Sequence, residues 1–366
     1  MHDRSIDVVI VPMHEAMHPS FRWLSRGAKV TRGYAVKFAD RDPMIVTYPM
    51  ERGEAAATGL QVHLASEYAT PPPDDAESYA KFFAKMAGDA KTIAFYGNAP
   101  IQLYMSIADH LGERAYRANG EDLIQLARKR KDAREIELIR SVGARTEEVV
   151  DEVRAALREW KPGLKIGDLK AIVRDGIARR GMIEDHETIL SQGRDAAVPH
   201  SRGNPNADVE PSSPIVLDIF PVDRESGYFF DMTRTFCVGE IPDELARIHA
   251  HVVVAFERAR DAMRPGTSFI GYHHMVCDFF DLRGYSNARD DPQTLEGYVH
   301  GLGHGVGLDI HEKPSRSDMI EVGDVVTIEP GLYFPDHAIG VRVEDTFLVT
   351  EKGVESMCRS GYGLEP

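Results

Sequence analysis

Residues Pro214–Gly239 read PIVLDIFPVDRESGYFFDMTRTFCVG, and how they fold decides the reading of the whole chain. Two runs rich in β-branched and aromatic residues flank Asp223-Arg224-Glu225-Ser226-Gly227, the pattern of a β-hairpin with a short polar loop. Each run holds one aspartate, Asp218 and Asp231, among neighbours suited to a buried sheet. A four-residue loop at Asp223–Ser226 sets Val222 opposite Gly227, and so Asp218 opposite Asp231. Carboxylates in that position repel, and burying them unpaired costs several kcal/mol. A multivalent cation between them removes both penalties. The plain alternative is one exposed face of an edge hairpin.

The 366 residues suffice for two domains, each with its own core. With 43% hydrophobic and 28% charged residues, the chain falls in the ordinary globular class. A net charge of −15 argues against a nucleic-acid partner and against an anionic membrane surface. Cys237, Cys277 and Cys358 are odd in number and widely spaced, which gives neither a disulfide framework nor a zinc ribbon and fits a reducing compartment. The start, MHDRSIDVVIVP, has no apolar run suited to a signal peptide or a membrane span, so the expected location is the cytoplasm.

The first third alternates short apolar runs (Asp7–Val11, Tyr34–Phe38, Met44–Tyr48, Thr92–Tyr96) with helical candidates at Glu51–Thr58, Ala76–Ala87 and Pro100–Leu111. This is a small α/β domain, assigned to residues 1–130. The basic run LARKRKDAR at Leu126–Arg134 is expected to be a solvated linker or helix start at the boundary. From residue 131 to 366 a second domain opens with a long amphipathic helix from Ala133, ended by Pro162-Gly163, and a helix at Ile166–Arg179. A strand near Thr188–Leu190, a Gly/Asn/Pro-rich loop at Gly193–Asn206 containing His200, and the hairpin follow. Helices at Pro242–Met263 and Phe269–Leu282 precede a glycine-rich, β-like end.

Three later stretches place acids or histidines in apolar or glycine-rich settings. In His300–Pro314, HGLGHGVGLDIHEKP, glycines 301, 303, 305 and 307 disfavour a helix, so an extended strand brings backbone and ligand close around His300 and His304, and a third histidine, His311, within twelve residues points the stretch toward function. In Val325–Pro335, VVTIEPGLYFP, Glu329 ends an apolar strand before Pro330. In Val341–Val349, VRVEDTFLV, Glu344 interrupts an apolar strand, where an unpaired carboxylate is costly. Asp218, Asp231, His304, Glu329 and Glu344 together offer four carboxylates and one imidazole. That oxygen-rich set suits a pair of divalent ions, Mn²⁺ or Co²⁺ first, with Zn²⁺ or Fe²⁺ as further options. Two adjacent metals activate water and stabilise an oxyanion, which is a hydrolase design.

In these residues the chain resembles the pita-bread metallopeptidases, whose members include methionine aminopeptidase, aminopeptidase P and prolidase. The resemblance lies in Asp218; Asp231 with Thr233-Arg234-Thr235; Gly303-His304-Gly305; Ile328-Glu329-Pro330-Gly331; and Arg342-Val343-Glu344-Asp345. It covers the chain from about Ala133 onward, and the preceding domain resembles, in layout and length, the creatinase-type domain of the proline-specific branch. Phe220, where the family usually has glycine, and the longer hairpin loop depart from the pattern.

The resemblance implies an α/β (α+β) fold, a creatinase-like domain followed by a pita-bread catalytic domain. It implies five metal ligands, Asp218, Asp231, His304, Glu329 and Glu344, with Glu329 also carrying a proton to the leaving proline nitrogen. It further implies that His200, His300 and His311 act in catalysis and substrate binding, and that Arg342 anchors a metal carboxylate or substrate. The implied activity is Xaa-Pro aminopeptidase, with prolidase as the alternative; the substrate is a proline-containing peptide and the assembly a homodimer. A methionine aminopeptidase leaves the first domain unexplained. A metal-free amidinohydrolase should have lost several carboxylates, and a non-catalytic peptide-binding module on this fold should bind no metal.

Overall fold

The structure, a computed structural model, describes residues 1, 5–14, 18–117, 122–315 and 317–366. Its residues divide into two units, Met1–Arg128 and Lys129–Pro366. In the first, the elements are β1 (Val8–His14), α1 (Pro19–Leu24), β2 (Arg32–Phe38), β3 (Met44–Thr47), α2 (Arg52–Ala56), β4 (Gln61–Leu64), α3 (Ala76–Ala87), β5 (Ile93–Phe95), α4 (Ile101–Leu111) and α5 (Leu123–Lys129). The strands form one mixed sheet in the order β4-β3-β2-β1-β5. Alternation along β1 feeds two cores. Val9 and Val11 pack with Phe21 and Leu24, whereas Val8 and Ile10 pack with Phe82, Phe83 and Met86. The four expected strands and three expected helices are all present, and β4 is the strand the sequence reading did not anticipate.

The second unit opens with α6 (Ala133–Arg158), which ends before Pro162. Asp132 and Glu135 cap it reciprocally, each carboxylate accepting the other's backbone N–H at 2.8 Å. Its buried stripe includes Ile139, Val142, Val149, Val153 and Leu157. Gly143 is required at its place, because a Cβ there would lie 2.5 Å from the Phe230 ring. Next come α7 (Ile166–Arg179), β6 (Met182–Ile183), β7 (Ile189–Gln192) and α8 (Gly193–Ala196), the last a single turn inside the expected loop. They are followed by β8 (Pro214–Ile219), β9 (Val222–Asp223), β10 (Met232–Cys237), α9 (Asp243–Ala262) and α10 (Phe269–Asp281). The end is β-rich: β11 (Val325–Ile328), β12 (Gly331–Phe334), β13 (Ile339–Arg342), β14 (Asp345–Thr350) and β15 (Gly353–Ser356). Small sheets β10-β8-β7, β11-β14-β15, β12-β13 and β6-β9 result. A core of Val252, Phe256, Phe280, Val326, Ile328 and Phe347 joins α9 and α10 to the strands. Among the described residues no helix is long and apolar enough to cross a membrane.

The hairpin forms, but not in the expected register. Thr233, not Asp231, faces Asp218. The four loop residues are Arg224–Gly227, one place later than expected, because Asp223 pairs with Tyr228 through its backbone N–H at 2.9 Å. Two local features set this. The Asp223 carboxylate accepts the N–H and hydroxyl of Ser226, both at 2.7 Å, and Gly227 takes a φ of +77° that closes the turn. Because the shift is two residues, Asp218 and Asp231 keep the same face of the pair and stand diagonally. Direct opposition is thereby relieved.

The basic run differs as well. It leads into α6 as expected, yet Arg128, Lys129 and Lys131 are buried rather than solvated. Lys129 reaches Glu321 at 2.7 Å and Lys131 reaches Glu312 at 2.7 Å. Further on, Arg234 of β10 is fully buried and bonds Asp345 at 2.7 Å, the Glu344 carbonyl at 2.7 Å, and the carbonyls of Ser360 and Gly361 at 2.9 and 3.0 Å.

Candidate functional site

Strands β8, β10, β11, β13 and β14 and the glycine stretch bring the singled-out acids and His304 to one place. Asp218 lies within β8; Asp231 immediately precedes β10; Glu329 immediately follows β11; Glu344 sits at the corner between β13 and β14. Thr233 and Glu344 exchange backbone bonds of 3.3 and 3.1 Å, which holds β10 against that corner. His304 is carried by the glycine stretch, which runs along β11 through Glu329 N–H to Leu302 O, Thr327 N–H to His304 O and Val306 N–H to Val325 O, at 2.8 to 3.0 Å. The glycines permit this approach, since a Cβ on Gly303 would lie 2.2 Å from the Thr327 carbonyl oxygen.

One ligand atom from each of Asp231, His304 and Glu344 lies within 4.8 Å of the others. His304 Nε2 stands 3.6 Å from Asp231 Oδ2 and 3.5 Å from Glu329 Oε1. Its Nδ1 faces the Gly305 carbonyl at 3.1 Å, which places the ring proton on Nδ1 and turns the Nε2 lone pair toward the carboxylates. Burial lowers the imidazole pKa to about 3, so the ring is neutral. The carboxyls respond in the opposite sense. Burial, then the Asp218 charge, raises Asp231 well above its ordinary value; burial, then the Asp231 charge, does the same to Glu344. Burial pushes Glu329 up to about 8 against the opposing pull of Arg342.

Three buried oxygens here, Asp218 Oδ1, Asp231 Oδ1 and Glu344 Oε1, accept no hydrogen bond from the described residues. Such groups are costly unless a cation takes their lone pairs. With a neutral imidazole beside them, the donor set fits divalent ions with a preference for oxygen. By its chemistry the cluster could hold metal ions.

The outer contacts hold the cluster in place. Thr233 Oγ1 donates to Glu344 Oε2 at 2.7 Å and accepts from Arg342 Nε at 3.2 Å. Arg342 is buried; it donates to Asp218 Oδ2 at 2.6 Å, to the Tyr333 hydroxyl at 2.7 Å and to the Pro199 carbonyl at 3.3 Å. Tyr333 in turn contacts His300 Nε2 at 2.9 Å, while His300 Nδ1 faces the Gly301 carbonyl at 2.8 Å. Both His300 nitrogens thus have protein partners, and Nδ1 lies 3.9 Å from Glu329 Oε2. Burial, then Arg342, lowers the His300 pKa to about 3. His311 packs edge-on against His304, with ring centroids 4.3 Å apart.

The cluster forms the floor of a cavity of about 540 Å³, large enough for a short peptide. His200, His300, His311, Phe220 and Arg342 also line it, so every singled-out residue borders one space. Tyr333 escaped the sequence reading, because tyrosine is an ordinary strand residue, whereas Thr233, part of the Thr233-Arg234-Thr235 run, is the residue that bonds Glu344. Arg202, also on the lining, escaped it too; its one sequence signal is its place two residues after His200.

The family model described as Metallopeptidase family M24 matches residues 137–351. Over 320 residues the chain is 30% identical to the probable dipeptidase PepE of Mycobacterium tuberculosis, covering 86% of this chain and 79% of that one. It is 26% identical over 369 residues to the Xaa-Pro dipeptidase of Pyrococcus horikoshii, covering 98% and 95%. The structure of an Xaa-Pro dipeptidase from Bacillus anthracis superposes with a TM-score of 0.82 at 22% identity, covering 99% of this chain and 96% of that one, a likeness of fold.

Proposed function

The chain belongs to metallopeptidase family M24 and has its pita-bread fold, and from that premise we propose that it hydrolyses Xaa-Pro dipeptides. One observation carries the reading: three unpartnered, buried carboxylate oxygens and a neutral imidazole face a peptide-sized cavity. Asp218, Asp231, His304, Glu329 and Glu344 would hold two divalent ions, Mn²⁺ or Co²⁺ before Zn²⁺ or Fe²⁺. When bound, such ions acidify a water and polarise the scissile carbonyl.

The chain's own residues do the rest. Glu329, beside His300, takes the proton from the attacking water and hands it to the proline nitrogen. His200 and His311 face the substrate and donate where the carbonyl oxygen gains charge. His300, with Tyr333 on its Nε2, positions Glu329. Arg342 fixes Asp218 and, through Pro199, the loop that carries His200.

The resemblance implies an aminopeptidase first and prolidase as the alternative; the dipeptidase relatives weigh toward that alternative. Arg202 supports the same choice. Of the two arginines among the described residues that line the cavity, Arg342 is buried and bonded to protein acceptors, whereas Arg202 is exposed and bonds Glu187 at 3.3 Å. A guanidinium in that position suits the free carboxylate of a dipeptide.

A peptide panel after metal removal and Mn²⁺ or Co²⁺ reconstitution tests the proposal. Xaa-Pro dipeptides should turn over faster than Xaa-Pro-Yaa tripeptides. Faster tripeptide cleavage assigns an aminopeptidase instead, and peptide binding with neither metal uptake nor turnover assigns a binding module. The proposed homodimer is checked by sedimentation of the same sample.

A further inference from the structure

Lys131 and Glu312 form an ion pair that has no part in the chemistry above. Nζ and Oε1 are 2.7 Å apart, and each side chain is 1% exposed. The lysine also donates to the Lys129 carbonyl at 3.1 Å. Glu312 directly follows His311. Its N–H donates to Gly305 O at 2.9 Å, and Gly305 N–H donates to Pro314 O at 3.1 Å, so residues 305–314 close into a loop. One end of that loop adjoins His304, and His311 stands near the other.

The glutamate side chain fills the loop from inside. A Cβ on Gly307 would lie 1.9 Å from Glu312 Oε1, and one on Gly305 would lie 2.2 Å from the Lys313 carbonyl oxygen. From outside, Phe229 N–H donates to Gly307 O at 2.8 Å, tying the loop to the hairpin that bears Asp231.

A buried ion pair is a poor source of stability, because desolvating two ions offsets most of their attraction, and an apolar pair of similar volume often serves as well. What an apolar pair lacks is direction. Nζ draws one carboxylate oxygen to one point and so fixes the backbone at residue 312 and the ring orientation one residue earlier. We propose that Lys131 and Glu312 are positioning residues for His311, setting where its imidazole stands over His304 and the cavity. The proposal rests on the reading that His311 contacts substrate.

The test uses the metal-reconstituted full chain. Lys131→Met alone removes the cation beside a buried carboxylate and should unfold at lower temperature, so the informative variant is Lys131→Met with Glu312→Leu. It should keep the wild-type melting temperature within a few degrees and the wild-type metal content. Its kcat on an Xaa-Pro dipeptide should fall about 10–100-fold with little change in KM, as loss of an orienting partner does. Adding His311→Ala to the pair variant should lower kcat no further than His311→Ala alone, because both changes remove the same contribution. Independently of activity, the ¹⁵N resonances of the His311 ring should shift in the pair variant. The swap Lys131→Glu with Glu312→Lys should bring both readouts back toward wild type. Wild-type kcat and unshifted His311 resonances in the pair variant would overturn the proposal, as would losses that multiply with His311→Ala. Failure of the wild type to cleave any Xaa-Pro peptide sinks the functional reading alone, since the resonances still report the positioning.

Discussion

Replacing Thr233 by valine keeps shape and volume but removes one hydroxyl at the centre of the outer contacts. Oγ1 donates to Glu344 Oε2 at 2.7 Å and accepts from Arg342 Nε at 3.2 Å, in a place where all three residues are buried. Valine leaves a charged donor and a carboxylate oxygen without partners. Hydrogen bonds to charged groups contribute about 1.5–3 kcal/mol each, and an unmade partner in the interior costs a comparable amount. A net loss of about 3 kcal/mol is therefore expected, which for a unit of this size is a fall in melting temperature of about 6–12 °C. Glu344 Oε1 already lacks a partner, so the variant frees both oxygens of that carboxylate. Its rotation should weaken metal retention about 10–100-fold. Thermal unfolding of the metal-free protein, followed by titration with Mn²⁺, reads both quantities. Thr233→Ser retains the hydroxyl and should lose less than half as much of either. A valine variant that melts and binds Mn²⁺ as the wild type does would refute the claim that this hydroxyl holds Glu344.

Two further outcomes follow from packing and burial. In Gly340→Ala the new Cβ would lie 1.8 Å from the Ala196 carbonyl oxygen, so α8 must move, at a cost of about 1–3 kcal/mol, and Pro199 with it; a calorimetric melt and a raised KM check this, with Gly271→Ala, which meets nothing within 4 Å, as a control that should not lower the melting temperature. Burial raises the Asp324 carboxyl to about 6, above its unfolded value near 4, so the folded chain keeps a proton that the unfolded chain has released, and this group's contribution falls as pH rises from about 4 through 6. Asp324→Asn should therefore gain stability relative to wild type across that window, by up to about 3 kcal/mol, in denaturant titrations at pH 5 and 7; parallel curves would contradict the assignment.

Most elements of both units could be read from periodicity, because a strand with one polar residue among β-branched neighbours announces both its burial and the oddity within it. Asp218, Asp231, Glu329 and Glu344 stood out for that reason. The hairpin register did not, since it depends on how Asp223 folds back on Ser226 and on which residue takes the left-handed turn position; counting residues placed the turn one residue early. The basic run was misjudged for a related reason. Lys129 and Lys131 follow no apolar period, and their acidic partners, Glu321 and Glu312, lie about two hundred positions later, so nothing local marks them as buried. Tyr333 carries no signal of its own, because its importance comes entirely from the Arg342 that β13 brings beside it; Thr233 was legible only as part of the Thr233-Arg234-Thr235 run, and its bond to Glu344 was not.

Arg234 bears on how the chain is made. It lies three residues past Asp231, yet its carboxylate partner, Asp345, and the carbonyls of Ser360 and Gly361 come more than a hundred residues later in the order of synthesis. Until they emerge, a guanidinium on β10 has no buried counterpart, and an unpaired buried charge is strongly unfavourable. The buried guanidinium of Arg234 therefore depends on partners that are available only once the segment through Gly361 has been made. Asp231 and Glu344, brought together where β10 meets the Glu344 corner, are likewise more than a hundred residues apart, so closing the acid cluster is a long-range contact that carries the entropic cost of a long loop.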